Sequence, residues 1–471
     1  MIFLFNYIKL GIWSSIYYFQ KEKSDVVFDI IVQNIKESGC IALKFVQWIL
    51  PKIENIYNID RKESQNEWFN KLESVYENCN YHSLDHTKNI YRKEFNRELD
   101  DDYTIVKNIA SGSIGQVYQI KDKNGELKIL KVLHPNIQIQ IIYFQFLIYC
   151  IHLIPYIRNK FFSIIPLNLK DFINDFKMQT NLIHEANNCL QFYNNYKDNP
   201  YVIIPQTYRI SKNILIMSYE EGESFYDLDT TDYTKCKLIL LFKLFNKNNE
   251  SITHFIHGDL HRGNWKVRFD KEKNDYVLVI YDFGFCWELP KCISENIKFI
   301  NRAFLKILDT SNEIDDFSKA CWLFLNKKCE LKCIRDDIKY FLNKDKLCKV
   351  EEPQFLFNLI LKISIKRNML IDSYCMQCII LYNQLWKIYE DYNVIPPPSW
   401  DSDINLYEGY YIYRIYDIIN YCETKGVFLD YKQYLEIELE EEKKLNPNLK
   451  NISFNTIDKE KQFDCIKHLC N

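Results

Sequence analysis

The strongest constraint on this chain is one loop sequence, His257-Gly258-Asp259-Leu260-His261-Arg262-Gly263-Asn264, that precedes Tyr281-Asp282-Phe283-Gly284. Between the two, WKVRF, a polar DKEKND turn and YVLVIYDFG predict a β-hairpin. An Asp and an Asn sharing a tight loop can divide two tasks. Asp259 can orient or deprotonate an attacking hydroxyl, and the amide oxygen of Asn264 can bind a metal ion. Asp282, presented at a strand end, offers a hard oxygen ligand for Mg2+. Taken singly, both aspartates could equally be turn residues that cap local backbone. In this order, with a hairpin between them, they point to phosphate chemistry.

Upstream, YTIVKNIA and IGQVYQIKD predict two strands around a short turn, Ala110-Ser111-Gly112-Ser113-Ile114-Gly115. Small side chains there let backbone N–H groups approach a phosphate closely. A hairpin signal at Lys123-Asn124-Gly125-Glu126 then leads into the strand LKILKVL. Lys131 sits in that strand among apolar neighbours, so it needs a charge partner or it loses its proton. Phosphates and a helix glutamate would satisfy it, and Glu185, in the helix-patterned QTNLIHEANN stretch, is the best candidate. A structural ion pair without nucleotide is the alternative. Strand alternation sends Lys128 to the opposite face, where a solvated lysine is expected.

A chain of 471 residues can form two or three packed domains. It is 47% hydrophobic and 26% charged, as a soluble globular protein is. A net charge of −3 with no sustained basic stripe gives nucleic-acid binding no electrostatic support. The 16 cysteines are scattered, which predicts free thiols in a reducing, intracellular setting. Cys329, Cys333, Cys375 and Cys378 could be counted as a zinc set, but both pairs lie in helix-patterned apolar segments. The first 20 residues are hydrophobic but lack a basic start and a small-residue cleavage site, and Asn6 and Lys9 interrupt them. They predict a buried or membrane-surface helix. A second uncharged run, residues 141–157, falls short of a bilayer span and predicts a buried helix.

These residues resemble the UbiB/ADCK family of atypical kinases over roughly residues 30 to 300. ASGSIGQVYQI…ILKVLHPNI is similar to that family's alanine-rich loop and lysine strand, HEANN to the helix carrying the lysine's glutamate partner, and HGDLHRGN and DFG to its catalytic and metal loops. Lys44-Phe45-Val46-Gln47 resembles its Lys-x-Gly-Gln signature, and a spacing of three sets Lys44 and Gln47 on one helix face. The resemblance implies an α+β, bilobal protein-kinase-like fold with a helical N-terminal extension and a mostly helical C-terminal lobe. The boundaries it implies are a 1–100 extension, a 101–220 N-lobe, a 221–400 C-lobe and a 401–471 tail without an assigned role. It further implies ATP and Mg2+ as cofactors. Asp259, Lys131 and Glu185 would be catalytic, and Asn264 and Asp282 would hold the metal. Ala110, Ser111, Gly112, Ser113, Lys131, Lys44 and Gln47 would line the nucleotide cleft, over which the signature helix folds.

Three departures from the family pattern stand out. Val46 replaces the signature glycine, Gln179 and Asn181 stand where Glu and Asp are usual, and Gly112 replaces an alanine. With amides at 179 and 181, Lys44 is expected to lack carboxylate partners and to reach toward phosphates or Asp282. After the metal loop, GFCWELPKCISENIKFI contains neither Ala-Pro-Glu nor a long activation segment. The acceptor implied is a small or lipid-related molecule rather than a conventional peptide. Two alternatives stay open: a small-molecule kinase of the aminoglycoside or choline type, and a nucleotide-binding scaffold without turnover.

Overall fold

The computed structural model describes residues 2–57 except Lys23, 67–73, 81–155, 169–305 except Arg262, 311–345 except Asn326, 353–371 and 418–445, with isolated positions at 159, 374, 376–378 and 381. Cys375, Arg262, the end of the 141–157 run and much of the tail lie outside the described residues. The N-terminal part is helical: α1 (Ile2–Phe19), α2 (Asp25–Glu37), α3 (Cys40–Tyr57), α4 (Glu67–Glu73), α5 (Leu84–Phe95) and the short α6 (Leu99–Asp102). Local signals set these ends. The Ser83 hydroxyl accepts from the His86 N–H to start α5, and Asn96, left-handed at φ 54°, ends it.

Strands β1 (Tyr103–Ser111), β2 (Gly115–Asp122) and β3 (Leu127–Leu133) follow, then α7 (Ile137–Leu153). The helices Leu169–Gln179 and Leu182–Tyr196 lead to β4 (Val202–Ile203), β5 (Thr207–Ile210) and β6 (Ile214–Ser218). An antiparallel sheet orders them β1-β2-β3-β6-β5. The expected turn at 122–126 is an Asx turn: Asp122 Oδ1 accepts the N–H groups of Asn124 and Glu126, and Gly125 supplies φ +89°. One face of the sheet, with Leu130, Val132 and Ile216, packs on Tyr91 of α5. The other, with Leu133 and Leu215, packs on α3, α7 and helix Leu182–Tyr196. Lys131 lies on this second face by strand alternation. Lys128 is not the solvated lysine expected. It ion-pairs with Asp122 and sits over the Tyr208 ring, so only 12% of its side chain is exposed.

The second lobe is mostly helical, from Asp232–Asn248 to Leu429–Leu445, with two small sheets at its cleft side. One is β4-β9-β8, in which β8 (Trp265–Asp270) and β9 (Asp275–Ile280) form the expected hairpin. The other pairs β7 (Phe255–His257) with β10 (Cys286–Glu288), which sequence patterning had left unassigned. Their common core includes Trp265, Phe242, Phe245, Leu278 and Phe283, and helix Leu429–Leu445 joins it through Tyr431, Leu435 and Leu439. The bilobal α+β architecture with its helical extension is therefore as expected.

One expectation for α7 fails. It buries Ile137, Ile141, Phe144 and Ile148, but Ile139, Ile142, Phe146, Tyr149 and Leu153 are exposed, so the helix is half-covered rather than buried.

Candidate active site

Two loops face the cleft from the second lobe, and the β7–β10 ribbon holds them together. The Gly258 N–H donates to the Phe285 carbonyl at 2.8 Å, and Cys286 registers against His257. Gly258 is required by close approach, because a Cβ there would overlap the indole ring of Trp287. His257 is buried, and its tautomer follows from its partners. The Asp259 N–H donates to Nδ1 at 3.4 Å, so the proton sits on Nε2, which donates to the Tyr281 carbonyl at 3.0 Å. Burial lowers the pKa of this imidazole and keeps it neutral. His257 thus fastens the Asp259 loop to the Asp282 strand end. The motif contained it, but only the structure reveals this task.

Asn264 donates through Nδ2 to the Asp259 carbonyl at 2.8 Å, and its amide oxygen has no partner among the described residues. Asp282 occupies left-handed backbone at φ 52°, held there by the Gly284 N–H donating to Oδ1 at 3.2 Å. Oδ1 also accepts from Lys131, so Oδ2 is left without a partner among the described residues. Phe283 is buried against Phe192 and His257, and Asn188 donates to its carbonyl at 2.9 Å. Asn188 stands one helical turn beyond Glu185, a spacing that could have revealed it.

Lys131 is where the lobes meet. Its Nζ donates to Glu185 Oε1 at 2.7 Å, to Glu185 Oε2 at 2.9 Å and to Asp282 Oδ1 at 3.2 Å. Burial would strip its proton, but the two carboxylates outweigh that and raise its pKa. Asp282 is the mirror case: burial works to raise it, and the Lys131 and Lys44 ammonium groups hold its carboxyl well below the usual range. Burial lifts Glu185 to about 7, with Lys131 opposing the rise.

Helix α3 crosses the cleft. Gln47 Oε1 accepts from the Ser113 hydroxyl at 3.0 Å, and Lys44 Nζ lies 3.5 Å from Asp259 Oδ2. The expectation for Lys44 is corrected here, since its carboxylate partner is Asp259 itself. Burial would raise Asp259, but Lys44, then His261, pull its carboxyl below the ordinary value. Val46 points away from the cleft into a small core with Phe28, Ile31 and Leu43. Asn181 is the N-cap of the Glu185 helix, its Oδ1 accepting from the Ile183 N–H at 3.2 Å. Ser111 and Ser113 are buried in the loop, while Ala110 and Gly112 are exposed.

The structure thus draws Lys44, Lys131, Glu185, Asp259 and Asp282 into one charged cluster, with Gln47 and Asn264 at its edges. The donor set suits a hard divalent cation: among the described residues, one carboxylate oxygen of Asp282 and the amide oxygen of Asn264 are uncommitted. Among the described residues no group of three or more His, Cys, Asp or Glu converges as a metal site. Cys329 and Cys333 are free thiols.

Residues 74–311 match the family model of the ABC1 atypical kinase-like domain. A curated relative is the protein named probable serine/threonine-protein kinase abkC of Dictyostelium discoideum, 26% identical over 254 residues, covering 52% of this chain and 36% of that one. Another is the protein named probable protein kinase UbiB of Sodalis glossinidius, 28% identical over 222 residues, covering 43% and 39%. The chain spans well under half the length of these relatives. Among solved structures, the Rv3197–erythromycin complex from Mycobacterium tuberculosis aligns at TM-score 0.41 and 14% identity, over 73% of this chain and 90% of that one.

Proposed function

The chain belongs to the ABC1 family of atypical, UbiB-type kinases, and from that premise we propose that it binds Mg2+-ATP and transfers or hydrolyses the terminal phosphate. The observation that carries this reading is Lys131 bound at once to Glu185 and Asp282, with Asp282 Oδ2 and Asn264 Oδ1 without partners among the described residues. A lysine so held presents its charge in a fixed place, where a phosphate could replace part of its carboxylate shell. Mg2+, when bound, would neutralise phosphate charge, and Asp282 with Asn264 would hold it. Asp259 would orient or deprotonate the hydroxyl or water that attacks. The 110–115 loop would lie over the phosphates, and Gln47 would hold that loop from above.

Two observations bear on the acceptor. The segment after Gly284 runs straight into β10 and the short helix Lys291–Ser294, and Trp287 covers Gly258, which leaves little platform for a peptide. On the far side, α1 exposes Phe5, Ile8, Ile12 and Ile16, and α7 exposes Ile139, Ile142, Phe146 and Tyr149. Tyr7 and Phe144 pack these helices together, with ring centroids 6.0 Å apart. Paired apolar stripes of this kind suit a membrane surface. No helix among the described residues is long and apolar enough to cross a membrane. A lipid-related acceptor fits both observations.

The test is thermal stabilisation by Mg2+-ATP together with phosphate release. Asp282→Asn is expected to lose most of the Mg2+-dependent stabilisation. Asp259→Asn is expected to keep it while turnover falls by about 10²-fold or more. Stabilisation without phosphate release in the unaltered protein would favour the scaffold reading instead.

A further inference from the structure

Behind the 110–115 loop lies a buried polar chain that the nucleotide reading does not use. Gln116 Nε2 donates to the Tyr118 hydroxyl at 2.7 Å, and Tyr118 OH lies 2.9 Å from Thr87 Oγ1. Thr87 Oγ1 lies 2.9 Å from His82 Nε2, His82 Nδ1 lies 2.8 Å from His134 Nδ1, and His134 Nε2 lies 2.9 Å from the Gly112 carbonyl. The two ends fix the direction of every hydrogen. An amide nitrogen can only donate and a carbonyl can only accept. With neutral rings, the donors therefore run Gln116, Tyr118, Thr87, His82, His134, and all terminate on Gly112. Burial keeps both rings uncharged, pushing His82 down to about 3 and lowering His134 as well.

The far end of this chain is well placed to orient the loop. A trans peptide is planar, with its C=O and N–H pointing opposite ways. Because His134 draws the Gly112 carbonyl toward the core, the N–H of Ser113, in the same peptide group, points away from it. The N–H groups of Ser113 and Ile114 take no partner among the described residues, and the His134 N–H holds the Ile114 carbonyl at 2.9 Å. His134 directly follows β3, the strand that carries Lys131, so one short segment sets both the lysine and the peptide.

We propose that His82 and His134 are positioning residues which, through a one-way hydrogen-bond chain that begins at Gln116 and passes through Thr87 of α5, aim the Ser113 N–H at the phosphates. The proposal deepens the nucleotide reading and rests on it. The third nearby imidazole, His86, packs edge-on to His82 and, among the described residues, its Nε2 lies 3.3 Å from the Leu133 carbonyl, outside the chain.

The experiment compares His82→Phe, Thr87→Val, His82→Gln and, as a control, His86→Phe. Binding of Mg2+-ATP and of adenosine is measured by calorimetry, and the order of the Ser113 N–H in the free protein by 15N relaxation. His82→Phe keeps ring packing but removes both nitrogens. It is expected to weaken Mg2+-ATP by about 3- to 10-fold, the scale of one hydrogen bond, with adenosine unchanged and the Ser113 order parameter lowered. Thr87→Val should move the same way by less. His82→Gln, still able to donate to His134, should recover most of the loss, and His86→Phe should match the unaltered protein. Equal losses for adenosine and Mg2+-ATP would mean a general loosening of the lobe and overturn the proposal. So would an unaltered Ser113 order parameter in His82→Phe. If the unaltered protein fails to bind Mg2+-ATP while His82→Phe still lowers the Ser113 order parameter, the nucleotide reading falls and the loop-ordering role stands.

Discussion

Replacing Lys44 by methionine keeps the aliphatic stem and removes one ammonium 3.5 Å from Asp259 Oδ2. Coulomb attraction at that distance is about 1 kcal/mol in a water-like dielectric and about 5 kcal/mol at an effective dielectric of 20. Asp259 is 36% exposed and Lys44 16%, so solvent screening places the pair toward the lower figure. An interaction of about 1.4 kcal/mol corresponds to about one pK unit. The sign follows from Asp259 being held below its ordinary value with Lys44 the foremost of the groups lowering it, so the variant's carboxyl must titrate higher. If ionised Asp259 handles the attacking hydroxyl, the acid limb of the turnover profile moves to higher pH by about one unit. The assay is phosphate release between pH 4 and 8, with Lys123→Met as an exposed-lysine control; Lys128 is unsuitable because Asp122 pairs with it. Stability should change little. The pair's contribution is present above the unfolded carboxyl pKa and fades as pH falls through the lower folded value. An acid limb that stays in place would refute the coupling and reduce α3 to a packing element.

Three other outcomes are expected. Lys131→Ala and Glu185→Ala should each weaken Mg2+-ATP binding and lower urea stability, the first by about 3 kcal/mol or more because Glu185 loses its buried cation, the second by less because Lys131 keeps Asp282. The double variant should be little worse than the worse single, and additive losses would mean the groups do not act as a pair. Ile142→Glu with Phe146→Glu should reduce sedimentation with phospholipid vesicles severalfold while leaving Mg2+-ATP stabilisation intact, and unchanged sedimentation would remove the membrane surface as a partner. Asn181→Ala should cost about 1 kcal/mol in urea unfolding through the lost cap, whereas Asn181→Asp should cost nothing; equal losses from both would contradict capping.

Legibility followed chemistry that is local in sequence. The 265–280 hairpin, the 122–126 turn and the Lys131–Glu185 pair were all readable, because alternation, turn residues and a charge without a local partner leave marks within a short window. The β7–β10 ribbon was not, since three-residue strands carry too little pattern to separate from loop. Lys128 was misread for a related reason. Alternation gave its face correctly, but its partner Asp122 lies across the hairpin, and only the register brings the two together. The half-exposure of α7 was equally invisible, because an apolar residue on a free face reads the same as one in a core.

The departures at 46 and 181 have structural tasks away from the charged cluster. Amides at 179 and 181 removed two carboxylates that Lys44 was expected to miss. In the fold, Asn181 spends its oxygen on the N-terminus of the helix that carries Glu185, a task Asn and Asp perform about equally well. Val46 buries its side chain beside α2, on the side of α3 that faces away from the cleft. Neither exchange touches the atoms that bind Lys131. Lys44, expected to lack a carboxylate, has Asp259 beside it, the residue that would handle the attacking group. A helix that touches the Ser113 hydroxyl with one residue and Asp259 with another spans both loops of the cleft. Asp259 stays 36% exposed with Lys44 beside it, so α3 borders the group an acceptor would meet without sealing it.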